Sequence, residues 1–216
     1  MTANEVPREK VYVHRVFVRV FHWVNALGMT LMIMSGWRIY NASPLFDFKF
    51  PNEITLGGWL GGALQWHFAA MWLLVINLLV YVIVGFATGH FRKRFTPVSP
   101  SSVAADMAKA LKGKLPHSTT TYNAVQKASY IGVLLAIILA IVSGSVVWKP
   151  VQLQELAVLM GGYEGARLVH FFSMAAICAF IVLHLTLVLL VPSTLIPMIM
   201  GWARKSKHQP EASHEH

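Results

Sequence analysis

Four long apolar stretches dominate the pattern of hydrophobic and polar positions along the chain. Few or no formal charges interrupt them, and they cover about residues 20–40, 66–88, 128–148 and 168–191. Each is close to the roughly 20 residues that an α-helix needs to cross a bilayer, and Trp or Tyr marks many of their ends, as is typical of membrane–water interfaces. The pattern predicts an all-α integral membrane protein: a four-transmembrane-helix bundle formed by residues 1–203, followed by a tail, 204–216.

Composition and charge agree with a membrane protein and indicate its orientation. The chain is 56% hydrophobic and 12% charged, whereas soluble domains are about a quarter charged. Most of its 18 Lys and Arg residues lie before the first stretch, between the second and third, and after the fourth. Because cytoplasmic segments carry the excess of basic residues, both termini are predicted to be cytoplasmic. The net charge of +9 therefore indicates topology and contact with anionic membrane lipid, not nucleic-acid binding.

Four histidines fall inside the predicted spans, and their depths match in pairs. His170 and His184 are fourteen residues apart in the fourth span, which places them on one helix face about 21 Å apart along its axis. The antiparallel course of the spans puts His22 at the inner level of His184, and His67 at the outer level of His170. Histidine within a span is costly and usually functional, and paired imidazoles suit the axial positions of haem iron. We therefore predict two haems, with His22/His184 as the inner iron ligands and His67/His170 as the outer ones; buried core histidines are the alternative.

Arginines and glycines near these histidines are candidates for further haem contacts. Arg19 and Arg167 each precede a predicted ligand by three residues and so share its helix face. Their guanidinium groups could bind haem propionates, although arginines that anchor a span end in the interface give the same pattern. Small residues in the spans could admit a flat porphyrin or mark ordinary helix contacts; they are Gly28, Gly36, Gly85, Gly132 and Gly144.

The single cysteine, Cys178, is interpreted as a small buried hydrophobic residue of the fourth span. Covalent haem attachment through C-x-x-C-H and iron–sulfur clusters both need more thiols, so the haem would be noncovalent haem b. No glycine-rich phosphate loop follows a strand, and the spans hold no Ser/His/Asp or paired-carboxylate constellation. These observations favour electron transfer over bond-making chemistry.

The segment RVFHWVNALGMTLMIMSG, in which Arg19-x-x-His22-Trp23 opens the first span, resembles the first helix of the prokaryotic cytochrome b561-type superfamily. That superfamily includes the membrane cytochrome b subunits of formate dehydrogenases, nickel–iron hydrogenases and thiosulfate reductases. The four histidines match the formate dehydrogenase branch position by position, and the resemblance covers about residues 14–203. It implies a di-haem cytochrome b of a bacterial inner membrane. Such a protein relays electrons between a periplasmic oxidoreductase partner and the quinone pool, with quinone near the inner haem.

Two long outer loops, 41–65 and 149–165, are predicted to dock the periplasmic partner. They carry more aromatic side chains than short connections need, and aromatic residues are enriched in interface cores; anchors dipping into lipid headgroups are the alternative. The loops resemble those of cytochromes paired with molybdenum enzymes, which favours such an enzyme over an iron–sulfur subunit or a cytochrome as the partner. The aromatic side chains concerned are Phe46, Phe48, Phe50, Trp59 and Tyr163.

Two other functions stay open at this point. A self-standing b561-type oxidoreductase, such as a superoxide:quinone oxidoreductase, would need no protein partner, and a metal transporter or scaffold using intramembrane histidines would carry no haem. The quinone site is also open, since an outer pocket or a site beside Asn77 competes with the inner location. Possible inner neighbours of a quinone are His90, His117, Tyr122 and Asn123.

Overall fold

The computed structural model describes residues 10–88 and 124–204, and four of its helices are long and apolar enough to cross a membrane. These spanning helices are α1 (Val16–Ala42), α2 (Leu60–Ala87), α3 (Ala124–Trp148) and α5 (Gly162–Leu190). The shorter described elements are strands β1 (Lys10–Tyr12) and β2 (Trp202–Arg204), helices α4 (Gln154–Leu159) and α6 (Leu195–Met200), and 3-10 turns at Asn52–Ile54 and Pro192–Thr194. The predicted all-α membrane fold is confirmed. The four inner-loop residues suggested as quinone neighbours, and the tail after Arg204, lie outside the described residues.

The spanning helices expose large apolar side chains and bury small ones. Ile83, Phe86 and Leu189 are 65%, 72% and 77% exposed, which suits helices whose outer surfaces contact lipid rather than water. Small residues let helix backbones approach closely, and this close packing is a main source of stability between membrane helices. The small buried residues include Ser35, Ala63, Ala70, Ser143, Ala166 and Ser173.

The spanning helices form two antiparallel hairpins, α1 with α2 and α3 with α5. Close backbone approaches are concentrated within each hairpin and are sparse between the two hairpins in the described parts of the chain. In the first hairpin, a Cβ added to Gly28 would lie 2.7 Å from Leu74 Cδ2, and Asn77 Nδ2 donates to the Phe21 carbonyl at 3.2 Å. A group bound between the hairpins would therefore meet side chains from both.

We call the end of the bundle that carries residues 43–59 and 149–161 the outer end, in line with the charge pattern, and the opposite end the inner end. At the outer end, Arg38 donates to side-chain and backbone oxygens of the first connection. Asn41 exchanges two hydrogen bonds with the backbone of Phe50, at 2.8 and 2.9 Å. These polar contacts fold the connection back onto the end of α1.

An aromatic cluster joins the first connection to α5. The rings of Phe46 and Phe48 pack against Phe171, with centroids 5.2 and 6.3 Å away. Phe46 and Phe48 remain 40% and 45% exposed, whereas Phe50 stacks on Trp37 with centroids 4.8 Å apart. The aromatic surface expected from the sequence is therefore partly used to build the fold, and Phe50 belongs to that structural part.

At the inner end, two segments far apart in sequence are joined in what we call the terminal clasp, residues 10–14 with residues 198–204. Strand β1 pairs antiparallel with β2, and the carbonyl of Gly201 accepts two backbone hydrogen bonds from the first segment, at 2.8 and 3.2 Å. On α1, Arg19 Nη1 donates to the carbonyl of Ile199 at 2.6 Å. The clasp fixes the beginning of α1 against the segment that follows α5.

Candidate functional site

The structure brings the four intramembrane histidines together as two pairs. At the inner end, the ring centroids of His22 and His184 are 6.2 Å apart. At the outer end, those of His67 and His170 are 6.4 Å apart. Each pair joins the first hairpin to α5, so both lie between the hairpins. These are the pairs predicted from the sequence, and their role as iron ligands stays a prediction.

The ring of His67 is held by a serine on the neighbouring helix. Ser35 Oγ lies 3.0 Å from His67 Nδ1 and 2.6 Å from the carbonyl of Leu31, one turn earlier in α1. A hydroxyl has one proton and a carbonyl can only accept, so the proton goes to Leu31 and Oγ accepts a hydrogen bond from Nδ1–H. His67 therefore carries its proton on Nδ1, and the lone pair of Nε2 is available to a metal.

His170 has the same arrangement in the second hairpin. Its Nδ1 lies 2.9 Å from the carbonyl of Ala140 and 3.3 Å from Ser143 Oγ, and that hydroxyl donates to the Leu139 carbonyl at 2.5 Å. Because a carbonyl can only accept, Nδ1 must carry the proton. The outer pair therefore offers two unprotonated Nε2 atoms.

Ring contacts, rather than hydrogen bonds, hold the inner pair within the described parts of the chain. His184 stacks on Phe180, with centroids 5.9 Å apart and ring planes 11° from parallel. His22 meets Trp23 edge to face at 5.3 Å. The inner rings are positioned by aromatic packing and by the helices that carry them.

Both pairs have the spacing and donor set of an iron held between two imidazoles. With histidine–metal distances of about 2 Å, two coordinating rings place their centroids about 6 Å apart, close to both observed separations. Among residues 10–88 and 124–204, no three His, Cys, Asp or Glu side chains group in a way that could hold a bare metal ion. Two axial imidazoles are what haem iron takes from a protein, because the porphyrin supplies its other ligands. The residues present fit haem.

Comparison with known proteins identifies the family. Residues 13–201 match the family described as prokaryotic cytochrome b561. The chain belongs to that family. It is a haem b cytochrome of electron transport and a multi-pass protein of the bacterial inner membrane. The family resemblance is confirmed, and a histidine-based metal transporter or scaffold no longer describes the protein.

Relatives of this cytochrome are named as parts of oxidoreductases. It is 50% identical over 195 residues to a protein of Azospira oryzae named "Putative protein-methionine-sulfoxide reductase subunit YedZ1", which covers 90% of this chain and 98% of that one. It is 22% identical over 197 residues to the formate dehydrogenase cytochrome b556(fdo) subunit of Escherichia coli, covering 89% and 86%. It is 31% identical over 91 residues, 42% and 36% of the two chains, to a Rhizobium leguminosarum bv. viciae protein named "Probable Ni/Fe-hydrogenase B-type cytochrome subunit".

The two arginines predicted to bind haem propionates both contact protein groups in this cytochrome. Arg167 forms an ion pair with Glu164 at 2.9 Å and donates to backbone and side-chain oxygens of Ser43. Arg19 donates through Nη1 to the carbonyl of Ile199. Arg167 is therefore engaged at the outer surface, and Arg19 is part of the inner-end packing; their contact with haem stays a prediction.

Two buried N–H donors of α1 have no hydrogen-bond partner in the described residues, one toward each end of the helix. They are Arg19 Nε, three residues before His22, and Trp37 Nε1, at the outer end of α1. An unpaired buried donor costs about 1–3 kcal/mol, so each is suited to an acceptor such as a carboxylate of a bound group. From the sequence, Trp37 was one of the Trp and Tyr residues near span ends interpreted as interface anchors.

Two of the glycines expected to admit a porphyrin or to mark helix contacts lie directly against the outer imidazole rings, which the sequence did not predict. Added Cβ atoms would lie 3.4 Å from His67 Cε1 at Gly36 and 2.9 Å from His170 Cε1 at Gly144. These glycines thus make room for the imidazole rings themselves, in addition to any porphyrin. Each follows a serine directly, and this repeated Ser-Gly dipeptide is the signal that could have revealed the arrangement.

Proposed function

We propose that this cytochrome carries two haem b groups and conducts electrons across the inner membrane between quinone and a periplasmic reductase subunit. His22 and His184 would hold the inner haem, and His67 and His170 the outer one. The observation that carries the proposal is the presence of two histidine pairs, 6.2 and 6.4 Å between ring centroids, at two levels of one bundle. Bound haem supplies reversible one-electron chemistry.

The arrangement of the pairs suits conduction. One ligand of each pair comes from α5, where His170 and His184 are fourteen residues apart, or about 21 Å along the axis. This distance covers most of a hydrocarbon core about 30 Å thick. Two histidines holding each iron would leave no site there for oxygen or a substrate, which favours electron transfer.

The partner is proposed from the relative that is 50% identical over almost its whole length. Because that relative is named as a subunit of a protein-methionine-sulfoxide reductase, we propose that the partner of this cytochrome reduces methionine sulfoxide in proteins. That reaction takes two electrons and two protons and yields methionine and water. Quinol oxidation releases two electrons and two protons, so the cytochrome would carry electrons from quinol to the reductase. The resemblance of the outer loops to those of cytochromes paired with molybdenum enzymes favours a molybdenum enzyme as this partner.

We propose that the reductase docks at the outer end. The charge pattern supports cytoplasmic termini, and the outer end would then face the periplasm. Exposed aromatic side chains there include Phe48, Trp59 and Tyr163, at 45%, 70% and 47%. Phe48 packs on Phe171, which is adjacent in sequence to His170. An electron leaving the outer pair would therefore have a short route to a partner seated on this surface.

The proposal is tested with the purified cytochrome in liposomes that contain a quinol. Quinol should reduce its haems, and their reoxidation should require the reductase subunit together with a peptide containing methionine sulfoxide. The same peptide with unoxidised methionine is the control. A Phe48→Asp variant should keep its haems and lose several-fold in coupled reoxidation. Reduction of the cytochrome by superoxide with onward transfer to quinone, without a partner, would instead support the self-standing oxidoreductase.

A further inference from the structure

The two hairpins contain the same local structure at the outer level. In each, a Ser-Gly dipeptide on the first helix faces the histidine of the second: Ser35 and Gly36 face His67, and Ser143 and Gly144 face His170. Each serine hydroxyl also donates to the carbonyl four residues earlier in its own helix. In the second hairpin the carbonyl of Ala140, three residues before the serine, also lies 2.9 Å from His170 Nδ1. The outer pair is thus built by one device used twice.

We propose that Ser35 and Ser143 are positioning residues that orient the outer ligands, which rests on the proposed role of His67 and His170 as iron ligands. Each hydroxyl turns its proton toward its own helix and its lone pair toward Nδ1–H. That arrangement holds the proton on Nδ1 and leaves Nε2 of both rings unprotonated and able to bind iron. Each hairpin would therefore set the tautomer and plane of one ligand on its own.

The glycines complete the device by letting the rings approach. At Gly144 a Cβ would lie 2.9 Å from His170 Cε1 and 3.2 Å from Nδ1, and at Gly36 a Cβ would lie 3.4 Å from His67 Cε1. Contacts this close leave no space for a methyl group at Gly144. The serine can reach Nδ1 because its neighbour has no side chain in the way of the ring.

The device has a consequence for the redox behaviour of the outer site. A hydrogen bond from the Nδ1–H of a ligating histidine raises the basicity of the ligand, and a more basic ligand favours the oxidised iron. Replacing the serine should therefore raise the midpoint potential of the outer haem. The inner haem should not respond, because ring contacts hold His22 and His184.

The experiment compares the holo-cytochrome with Ser35→Ala, Ser143→Ala and the size-matched Ser35→Cys. Ser173→Ala is the control, since Ser173 is buried on α5 and donates to Val169 one turn back. Redox titration of both haems and electron paramagnetic resonance of the oxidised protein report the potentials and the ligand planes.

We expect Ser35→Ala to raise the midpoint potential of the outer haem more than Ser143→Ala does. Ser35 Oγ lies 3.0 Å from His67 Nδ1, whereas Ser143 Oγ lies 3.3 Å from His170 Nδ1. His170 Nδ1 would also keep its bond to the Ala140 carbonyl, at 2.9 Å, when Ser143 is replaced. Ser35→Cys should shift the outer potential as Ser35→Ala does, because a thiol is a weak hydrogen-bond acceptor. Both Ser35 variants should bind the outer haem about 10-fold or more weakly.

Two results would overturn the proposal. One is an outer potential and resonance spectrum in Ser35→Ala that match those of Ser173→Ala. The other is an equal shift of both haems, which would indicate a general loosening of the bundle. Failure of the proposed function gives a different result: His67→Ala would then retain the outer haem, whatever the serine variants do.

Discussion

The outer and inner histidine pairs reach nearly the same ring separation, 6.4 and 6.2 Å, by different means. At the outer end, each Nδ1 is hydrogen-bonded by groups of the neighbouring helix in its own hairpin. At the inner end, the rings contact Phe180 and Trp23, and the terminal clasp holds α1 in place. The outer rings are therefore held by the facing helix of their own hairpin, whereas the inner rings contact aromatic residues of the helices that carry them.

This difference indicates where each site is vulnerable. A hydrogen-bonded imidazole has a defined tautomer and orientation before a metal arrives, whereas a ring held by apolar contacts has more freedom to rotate. We expect the outer site to be sensitive to substitutions in the helix interior. The inner site should instead be sensitive to changes at the inner end of the bundle, where the clasp fixes the start of α1.

The largest effect, on haem content, should come from replacing the two α5 histidines one at a time. His170→Ala should lose the outer haem and His184→Ala the inner one, so that haem content falls from two to one per chain in both variants. Pyridine haemochrome analysis gives the content, and redox titration shows which haem remains. One haem per chain in the unaltered protein, or loss of both haems in each variant, would contradict the division into two separate sites.

A smaller effect is expected from adding a methyl group beside each outer ligand. Gly144→Ala should weaken outer-haem retention more than Gly36→Ala, since its Cβ would be 2.9 rather than 3.4 Å from the ring, and overpacking costs about 1–3 kcal/mol. Gly132→Ala, on the same helix as Gly144, is the matched control because its Cβ would meet nothing within 4 Å. Thermal loss of each haem is the measurement. Equal thermal loss of the outer haem in all three variants would contradict a specific role for Gly36 and Gly144 beside the ligands.

The smallest effect should come from loosening the terminal clasp. Gly201 has φ +87°, and its Cβ would lie 3.2 Å from Arg19 Cζ. Gly201→Ala should therefore reduce inner-haem retention and leave the outer haem unchanged. Gly58→Ala imposes similar backbone strain, about 1–2 kcal/mol, at φ +71° with nothing within 4 Å. The inner potential and haem retention of the two variants are compared, and a Gly58→Ala variant with the same inner defect would show that strain alone is responsible.

The four spans and the levels of the histidines could be predicted because they follow from a constant helix rise and from apolar stretches of sufficient length. The roles of the serines were not predicted. A serine or threonine in a membrane helix commonly bonds the carbonyl one turn back, and only the glycine that follows Ser35 and Ser143 marks the two that also meet an imidazole. Other described residues also make that bond, among them Thr30, Ser145, Ser173 and Thr186.

The first residue of α5 was also not predicted correctly from the apolar pattern. Helix α5 begins at Gly162, ahead of the apolar stretch expected from about residue 168. A Cβ at Gly165 would lie 1.8 Å from the carbonyl of Met160, so this first turn packs against the end of α4. Hydropathy marks the part of a helix that meets lipid, and it does not register a polar turn that packs on protein. Hydropathy also does not say whether an aromatic side chain meets lipid or protein, and so the packing of Phe50 on Trp37 was not predicted.

The terminal clasp has a consequence for how this protein is made. It joins residues 10–14, which leave the ribosome early, to residues 198–204, which leave it late. Helices emerge in chain order during synthesis, so the first hairpin is inserted while α5 has yet to be translated. Both histidine pairs take one member from α5. A translation intermediate that lacks this helix presents only single imidazoles, and we therefore expect cofactor loading to be among the last steps of biogenesis.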